Sequence, residues 1–333
     1  MTTSLQGKIA LVTGATRGIG KGIAIALAKS GATVYITGRS LNPENETDPV
    51  SGSLEETQTA ADKFSGKIIP CQVDHSQDDQ VQQLFQQIQT EQNGQLDLLV
   101  NNVYGGVRTL REENGKPFWE ANASLWNACN NVGLRSHYIA SRLAAQMMVP
   151  RKQGIIITIS SWGGLAPIFG VAYGAGKSAC DRLAADMALE LKPHNVASLS
   201  LWPGIVGTEH ISELIAENTK EESELPEPQM APQIALLSSR FNWETPTFTG
   251  RVIAALLIEP HIMKLTGKMQ IVAELAAKYN IQDIDNSQPT SLRSLKFLIP
   301  TAIPKLQNRT ALIPNLLIPW WLMLLTALSS PRK

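Results

Sequence analysis

Cysteine is scarce in this 333-residue chain, and the three present, Cys71, Cys129 and Cys180, form no CxxC pair. That argues against a disulfide framework or a thiolate zinc site and implies a reducing, cytoplasmic setting. The five histidines, at positions 75, 137, 194, 210 and 261, show no paired ligand spacing, so no metal is expected. Surplus charge is missing too: 29 Lys and Arg balance 29 Asp and Glu, which leaves no general basic field to attract nucleic acid. Residues 1–8 lack the basic start and apolar run of a secretion signal, and no internal repeat is evident. At 43% hydrophobic content, the chain can bury one large core with a modest appendage.

What the chain does have is alternation. Strand-like apolar runs at 9–13, 33–37, 67–72, 96–100, 154–159, 196–201 and 268–272 are separated by helical periodicity at 19–30, 53–64, 78–91, 132–149 and 173–191. Several runs are apolar at nearly every position, as parallel strands covered on both faces require. The pattern predicts an α/β, Rossmann-type fold: a doubly wound parallel sheet of about seven strands with helices on both faces and a C-terminal apolar extension. Residues 1–276 form one dinucleotide-binding catalytic domain in this reading, with a substrate loop at about 209–250 and a mobile, Glu- and Pro-rich stretch at 219–232. Residues 277–333 are an extension, with an apolar tail at 311–330.

The first strand leads directly into Thr13-Gly14-Ala15-Thr16-Arg17-Gly18-Ile19-Gly20, which then opens a helix. Gly14, Gly18 and Gly20 let the chain turn sharply and bring its backbone to a pyrophosphate at the positive end of that helix, with Thr16, Arg17 and Ile19 in the same turn. The second strand ends in Thr37-Gly38-Arg39, where a site for NAD would usually place a carboxylate on the ribose hydroxyls. Arg39, joined by Arg17, can instead grip a 2′-phosphate, so NADP(H) is favoured over NAD(H); the alternative is that both arginines are solvated surface residues. Asp74, after the third strand, is placed to meet an adenine edge or to serve as a helix cap.

Tyr173-Gly174-Ala175-Gly176-Lys177 sets a phenol and an ammonium four residues apart, on one face if the segment is helical. An unperturbed phenol titrates too high to exchange protons near neutrality, and an adjacent cation stabilises the phenolate enough to make it a usable acid. A strong apolar strand a dozen residues upstream ends in Ser160-Ser161, a hydroxyl pair able to hold a substrate oxygen. Asn131, opening another helix, can cap it, or hold a water that connects Lys177 to solvent.

Taken together, residues 13–20, Asn101-Asn102, Asn131, Ser160-Ser161, Tyr173 with Lys177, and Pro203-Gly204-Ile205-Val206-Gly207-Thr208 resemble, in order and spacing, the short-chain dehydrogenase/reductase family over residues 8–272. The resemblance implies that Tyr173 is the general acid in carbonyl reduction, that Lys177 tunes it and holds the nicotinamide ribose, and that a serine positions the carbonyl oxygen. It implies that Asn131 completes a proton relay, that Asn101 belongs to the cofactor site, and that Pro203, Gly204, Val206 and Thr208 lie at the nicotinamide, with hydride coming from the cofactor. Two departures stand out. The usual Asn-Asn-Ala-Gly is Asn101-Asn102-Val103-Tyr104 here, and the family spacing back from Tyr173 lands on Ser160 whereas alignment of the strand end favours Ser161. Asn130-Asn131-Val132-Gly133-Leu134-Arg135, residues 200–206 and the long extension resemble the dehydrogenase/reductase member 1 subgroup, which implies NADPH-dependent reduction of a hydrophobic ketone or aldehyde.

The alternatives are a dinucleotide-binding regulator or scaffold with little turnover, which the Val103-Tyr104 departure and the tail motivate, and an epimerase or dehydratase on the same scaffold. The resemblance also implies a homo-oligomer through the helices at 132–149 and 173–191. In the tail, Trp320, Trp321 and many leucines, flanked by Arg309, Arg332 and Lys333, suit either peripheral contact with a membrane interface or packing on protein. Pro314, Asn315 and Pro319 leave too short an uninterrupted run to span a bilayer.

Overall fold

The computed structural model describes residues 4–45, 50–223 and 236–329. Its centre is a seven-stranded sheet made of β1 (Ile9–Val12), β2 (Thr33–Gly38), β3 (Lys67–Gln72), β4 (Leu98–Asn101), β5 (Gly154–Ile159), β6 (Val196–Trp202) and, after two short strands introduced below, β9 (Met269–Ile271). The strands are parallel throughout, in the spatial order β3-β2-β1-β4-β5-β6-β9. The order reverses between β1 and β4, and that crevice at the carboxyl ends of the strands is where an open α/β sheet binds ligands. β1, β4, β5 and β6 are buried at every position, which explains their predominantly apolar sequences, and the few polar residues they carry, Asn101, Thr158, Ser198 and Ser200, are buried with them.

Helices α1 (Gly18–Lys29), α2 (Leu54–Thr59), α3 (Asp78–Glu91), α4 (Val107–Glu112), α5 (Ser124–Asn130), α6 (Ser136–Arg151), α7 (Val171–Leu191), α8 (Glu209–Ser223) and α9 (Pro246–Leu257) connect the strands. One face of the sheet is covered by Ile23 and Leu27 of α1 with Phe248, Val252 and Leu256 of α9. The other is covered by Leu84, Phe85 and Ile88 of α3 with Ala144 and Met148 of α6. α1 and α9 approach backbone to backbone: a Cβ on Gly22 would lie 2.2 Å from the Pro246 carbonyl carbon, and one on Gly250 would lie 2.7 Å from the Ile23 Cα.

The sequence reading missed the short α4 and α5 as well as α8 and α9, taking 209–250 as loop. α9 opens with Pro246 at its first turn, a position that suits proline because the missing N–H would have no partner there. Of the expected loop at 219–232, residues 219–223 end α8, and the rest lie outside the described residues. α2 stops at Thr59 instead of continuing to 64, after opening on a Ser53–Glu56 capping box. Asn131 does not cap the following helix with its side chain. It begins a π-helical step, Asn131–Arg135, that joins α5 to α6 without a break. The Asn130 Nδ2 donates to the carbonyl of Trp126, four residues back, at 3.1 Å, competing with the α-helical ladder at the point where it widens.

Past β9, α10 (Val272–Tyr279) leads into the extension, with α11 (Leu295–Ala302) and α12 (Trp320–Ser329). The extension folds back on the domain: Arg293 pairs with Glu274 at 2.6 Å, donates to the Ile318 carbonyl at 2.7 Å and lies over the Trp320 ring. Trp320 meets the fully buried Trp202 edge to face at 5.8 Å. Trp321, Leu324 and Leu325 face outward. Among the described residues no helix is long and apolar enough to cross a membrane.

Candidate active site

The glycine-rich turn between β1 and α1 is held by side chains beneath it. Thr13 Oγ1 donates to the Val100 carbonyl at 3.2 Å and accepts from the amides of Asn102 and Val103. Asn102 Nδ2 donates to the carbonyls of Thr13 and Gly14 at 2.9 and 2.8 Å. Gly14 has a left-handed φ of 69°; a Cβ there would lie 2.6 Å from the Val103 Cα, and one on Gly20 would lie 2.1 Å from the Gly14 carbonyl oxygen. The glycines therefore serve the close packing of the turn as well as its approach to a ligand. At the start of α1 the Gly18 amide donates to the carboxylate of Glu209 at 2.8 Å, so the positive end of this helix already holds an oxyanion. Thr208 lies over the same glycine. Thr16 covers Gly38 at the end of β2, and Ile19 packs against the core.

At the β2 and β3 ends, Arg39 and Asp74 line an open cleft of about 630 Å³ with Cys71, Gln72, Val73 and Gln80. Arg39 is exposed, and its side chain makes no ion pair or hydrogen bond among the described residues. Arg17 points elsewhere, donating to the carbonyls of Ser51 and Gly52 at 3.2 and 3.1 Å. Asp74 Oδ1 accepts from the Ser76 amide at 2.9 Å, organising the turn that precedes α3, whose N-cap position is Gln77. Asn101 is fully buried and donates to Ser141 of α6 at 2.8 Å; its side chain is committed to packing, and the asparagine that reaches the glycine turn is Asn102, which the sequence reading did not assign. Beneath Thr37, His75 sits at 2.7 Å, and burial pushes its pKa down to about 4.

The two serines after β5 point opposite ways, as successive residues of extended chain must. Ser160 is buried and donates back to the Lys177 carbonyl at 3.1 Å. Ser161 accepts from the Gly163 amide at 2.9 Å. Gly163 is also the residue against which Tyr173 lies: a Cβ there would fall 2.5 Å from Tyr173 Cε1 and 3.2 Å from Ser161 Oγ. The structure thus brings Ser161 and Tyr173 to one point and turns Ser160 to the rear. Tyr173 and Lys177 share one face of α7, with the buried ammonium donating to the Ile159 carbonyl at 3.0 Å. Phe169, 45% exposed and held at φ 56°, meets the Tyr173 ring edge to face at 5.3 Å.

Around this centre are Tyr104, marked in the sequence by its departure from the family motif, and His137 and Asp181, which no motif flagged. Tyr104 stands over Lys177. His137 of α6 is buried against the Val103 carbonyl at 3.0 Å, and burial, reinforced by the Lys177 charge, takes its pKa to about 3. Asp181 accepts from Trp202 Nε1 at 2.9 Å and from Ser200, and burial raises its pKa. Asn131 makes no side-chain hydrogen bond among the described residues; the enclosed asparagine is Asn130, bonded to the Ala172 carbonyl at the start of α7 at 3.2 Å.

The turn at 203–208 is braced by a two-stranded parallel ladder, β7 (Ile205–Val206) with β8 (Trp243–Glu244). Pro203 enters the turn, and the Gly204 amide donates to Glu244 at 2.9 Å. Burial lifts the Glu244 carboxyl to a pKa of about 8, against the lowering effect of that hydrogen bond.

Residues 8–219 match the sequence profile of the short chain dehydrogenase family. The chain is 41% identical to "Dehydrogenase/reductase SDR family member 1" of Mus musculus over 98% of each chain. In fold it is similar to L-sorbose reductase from Gluconobacter frateurii, solved with NADPH and L-sorbose, with a TM-score of 0.66, 20% identity and 81% of this chain against 97% of that one. It is similar also to a 7α-hydroxysteroid dehydrogenase solved with NADH and 7-oxo glycochenodeoxycholic acid, with a TM-score of 0.62, 23% identity and 81% against 94% coverage. A profile match over most of the domain and a full-length relative at this identity agree with the sheet order, and the chain belongs to the short-chain dehydrogenase/reductase family of oxidoreductases, in the member 1 subgroup.

Proposed function

We propose that this oxidoreductase is an NADPH-dependent carbonyl reductase of hydrophobic ketones or aldehydes, able to run in reverse on secondary alcohols. The observation that carries the reading is the meeting of Ser161 and Tyr173 at Gly163, with the Lys177 ammonium behind the phenol. The residues present fit a dinucleotide: the Gly14 and Gly20 cradle has no room for a Cβ, and the α1 N-terminus already bonds a carboxylate. Gly14, Thr16, Gly18, Ile19 and Gly20 would hold the diphosphate, Arg39 a 2′-phosphate and Asp74 the adenine side. Pro203, Gly204, Val206 and Thr208 would meet the nicotinamide. Bound there, the cofactor supplies or accepts the hydride.

The chain's own residues supply the proton and the orientation. Ser161 donates to the substrate oxygen, and Tyr173 delivers the phenolic proton to that oxygen as negative charge develops on it. Lys177 stabilises the phenolate left behind and has the reach to bond the cofactor ribose. The exposed Phe169 ring beside Tyr173 favours an apolar substituent on the carbonyl.

The test is oxidation of NADPH over a panel of ketones, quinones and aldehydes, beside NADH and beside Tyr173→Phe. Turnover with NADPH that drops by roughly a thousandfold in Tyr173→Phe is the expected result. Cofactor binding with no turnover across the panel supports the scaffold alternative, for which the aromatic filling by Tyr104 is the structural argument. Turnover without net cofactor oxidation would point to epimerase chemistry.

A further inference from the structure

Among the described residues, the buried Lys177 ammonium has one protein hydrogen-bond acceptor, the Ile159 carbonyl. Two aromatic faces lie close to it: the Tyr104 ring centroid is 5.3 Å from Nζ and the Tyr173 centroid 5.9 Å. The two rings meet edge to face at 5.9 Å, so Tyr104 touches both members of the Tyr173–Lys177 pair. Its slot exists because two neighbours lack side chains. A Cβ on Gly133 would lie 2.6 Å from the Tyr104 Cδ2, and one on Gly106 would lie 2.6 Å from its phenol oxygen. That oxygen is buried and has no hydrogen-bond partner among the described residues. Burial, with Cys129 beside it, drives the Tyr104 pKa above the ordinary tyrosine value. A phenol in that state is protonated near pH 7, and it is the ring face that Tyr104 turns to Lys177.

We propose that Tyr104 is a positioning residue of the reaction centre, whose ring face holds the Lys177 ammonium against Tyr173. A cation over an aromatic face in a desolvated site gains more than the same pair in water. The contact keeps charge beside the phenol without a second hydrogen-bond acceptor. Its catalytic consequence rests on the reductase reading, but the contact itself has a readout that needs no turnover. The groups facing the pair are Cys129 of α5, His137 of α6, and Cys180 and Asp181 of α7. The cysteines are pushed up and His137 down, which leaves them neutral near pH 7 and Asp181 as the one carboxyl in the set.

The experiment is ultraviolet titration of phenolate in the full chain, with the Tyr173→Phe protein subtracted to isolate Tyr173. Five tyrosines make the signal separable, and burial raises Tyr35 and Tyr279 as well as Tyr104. Tyr104→Leu is expected to move the Tyr173 signal upward by about one pH unit, and to lower kcat about tenfold with the carbonyl KM nearly constant. Tyr104→Phe, which restores the ring alone, is expected to recover most of both losses. Gly133→Ala, which pushes the ring out of its slot, gives a second variant should Tyr104→Leu fail to fold, and is expected to shift the signal in the same direction. An unmoved Tyr173 signal in Tyr104→Leu, or a Tyr104→Phe variant as impaired as Tyr104→Leu, overturns the proposal. A shifted signal in a protein that turns over no carbonyl retains the ring contact and removes the reductase reading.

Discussion

The glycine turn and the reaction centre lie at the same edge of one sheet and are built from opposite materials. At the turn, backbone does the work: Gly14 and Gly20 are packed so closely that a single carbon does not fit, and Thr13 and Asn102 serve to hold carbonyls and amides in place. At the reaction centre the working parts are side chains, and glycines at 106, 133 and 163 act as clearances for the rings of Tyr104 and Tyr173. A site that must present an array of amides to a diphosphate gains from having nothing on its Cα atoms. A site that must hold a phenol beside an ammonium needs bulk around both to exclude water.

The contrast can be broken most strongly at Gly20. Gly20→Ala sets a Cβ 2.1 Å from the Gly14 carbonyl oxygen, a backbone atom that cannot swing aside. The expected cost is about 3 kcal/mol of stability together with loss of measurable NADPH binding, read by thermal melting and by cofactor fluorescence. Tyr173→Phe sharpens the comparison from the other side, since loss of one oxygen should lower turnover roughly a thousandfold and leave the melt and the cofactor affinity close to those of the parent. Arg39→Ala comes next. If Arg39 takes a 2′-phosphate, the dissociation constant for NADPH should rise roughly 10- to 100-fold with that for NADH unchanged, from the worth of a charge-assisted pair. Equal loss for both cofactors would deny the phosphate role.

The two smaller effects concern carboxylates that join the regions. Glu244 braces the turn at Gly204 from a buried position, with its pKa raised from 4.5 to about 8. A carboxyl whose folded pKa is raised contributes its stability below the unfolded value and loses it as pH climbs through the folded one. The fold should therefore soften between pH 4.5 and about 8 through this group, and Glu244→Gln should flatten that part of the curve in melts taken across the range. Glu209, on the Gly18 amide, stands where a diphosphate would bind and repels it. Glu209→Gln should tighten NADPH about fivefold, most visibly at low salt. Weaker binding would mean that the carboxylate helps to order the turn.

Much of the sheet was legible in the sequence because a parallel strand covered on both faces is apolar at nearly every position, as β1 and β5 are. The glycine turn and the Tyr173–Lys177 pair were legible for a similar reason, since each depends on spacing within one local element. α8 and α9 were not. The first is polar along much of its length, and the second follows a stretch whose punctuation resembles a loop, so what identifies α9 is its packing through Gly250 onto α1. The asparagines show the same limit. Asn101 and Asn102 are adjacent and chemically identical, and only the pleat decides that one enters the packing under α6 while the other reaches the glycine turn. At Asn130 and Asn131 a π-helical step decides which amide is enclosed.

By itself, the sequence determined the order of the main-sheet strands, the location of the dinucleotide turn and the identity of the phenol and its ammonium, because those features are short-range. Tertiary structure decided which serine meets Tyr173, that Arg17 is drawn to Ser51 and Gly52 while Arg39 stays available, and that Trp320 belongs to the core side of the tail and Trp321 to its surface. It alone placed Tyr104 over Lys177. The reason is physical: each of these depends on where separate elements pack, and a side chain's partners across more than seventy residues of chain are set by the close packing of the whole core.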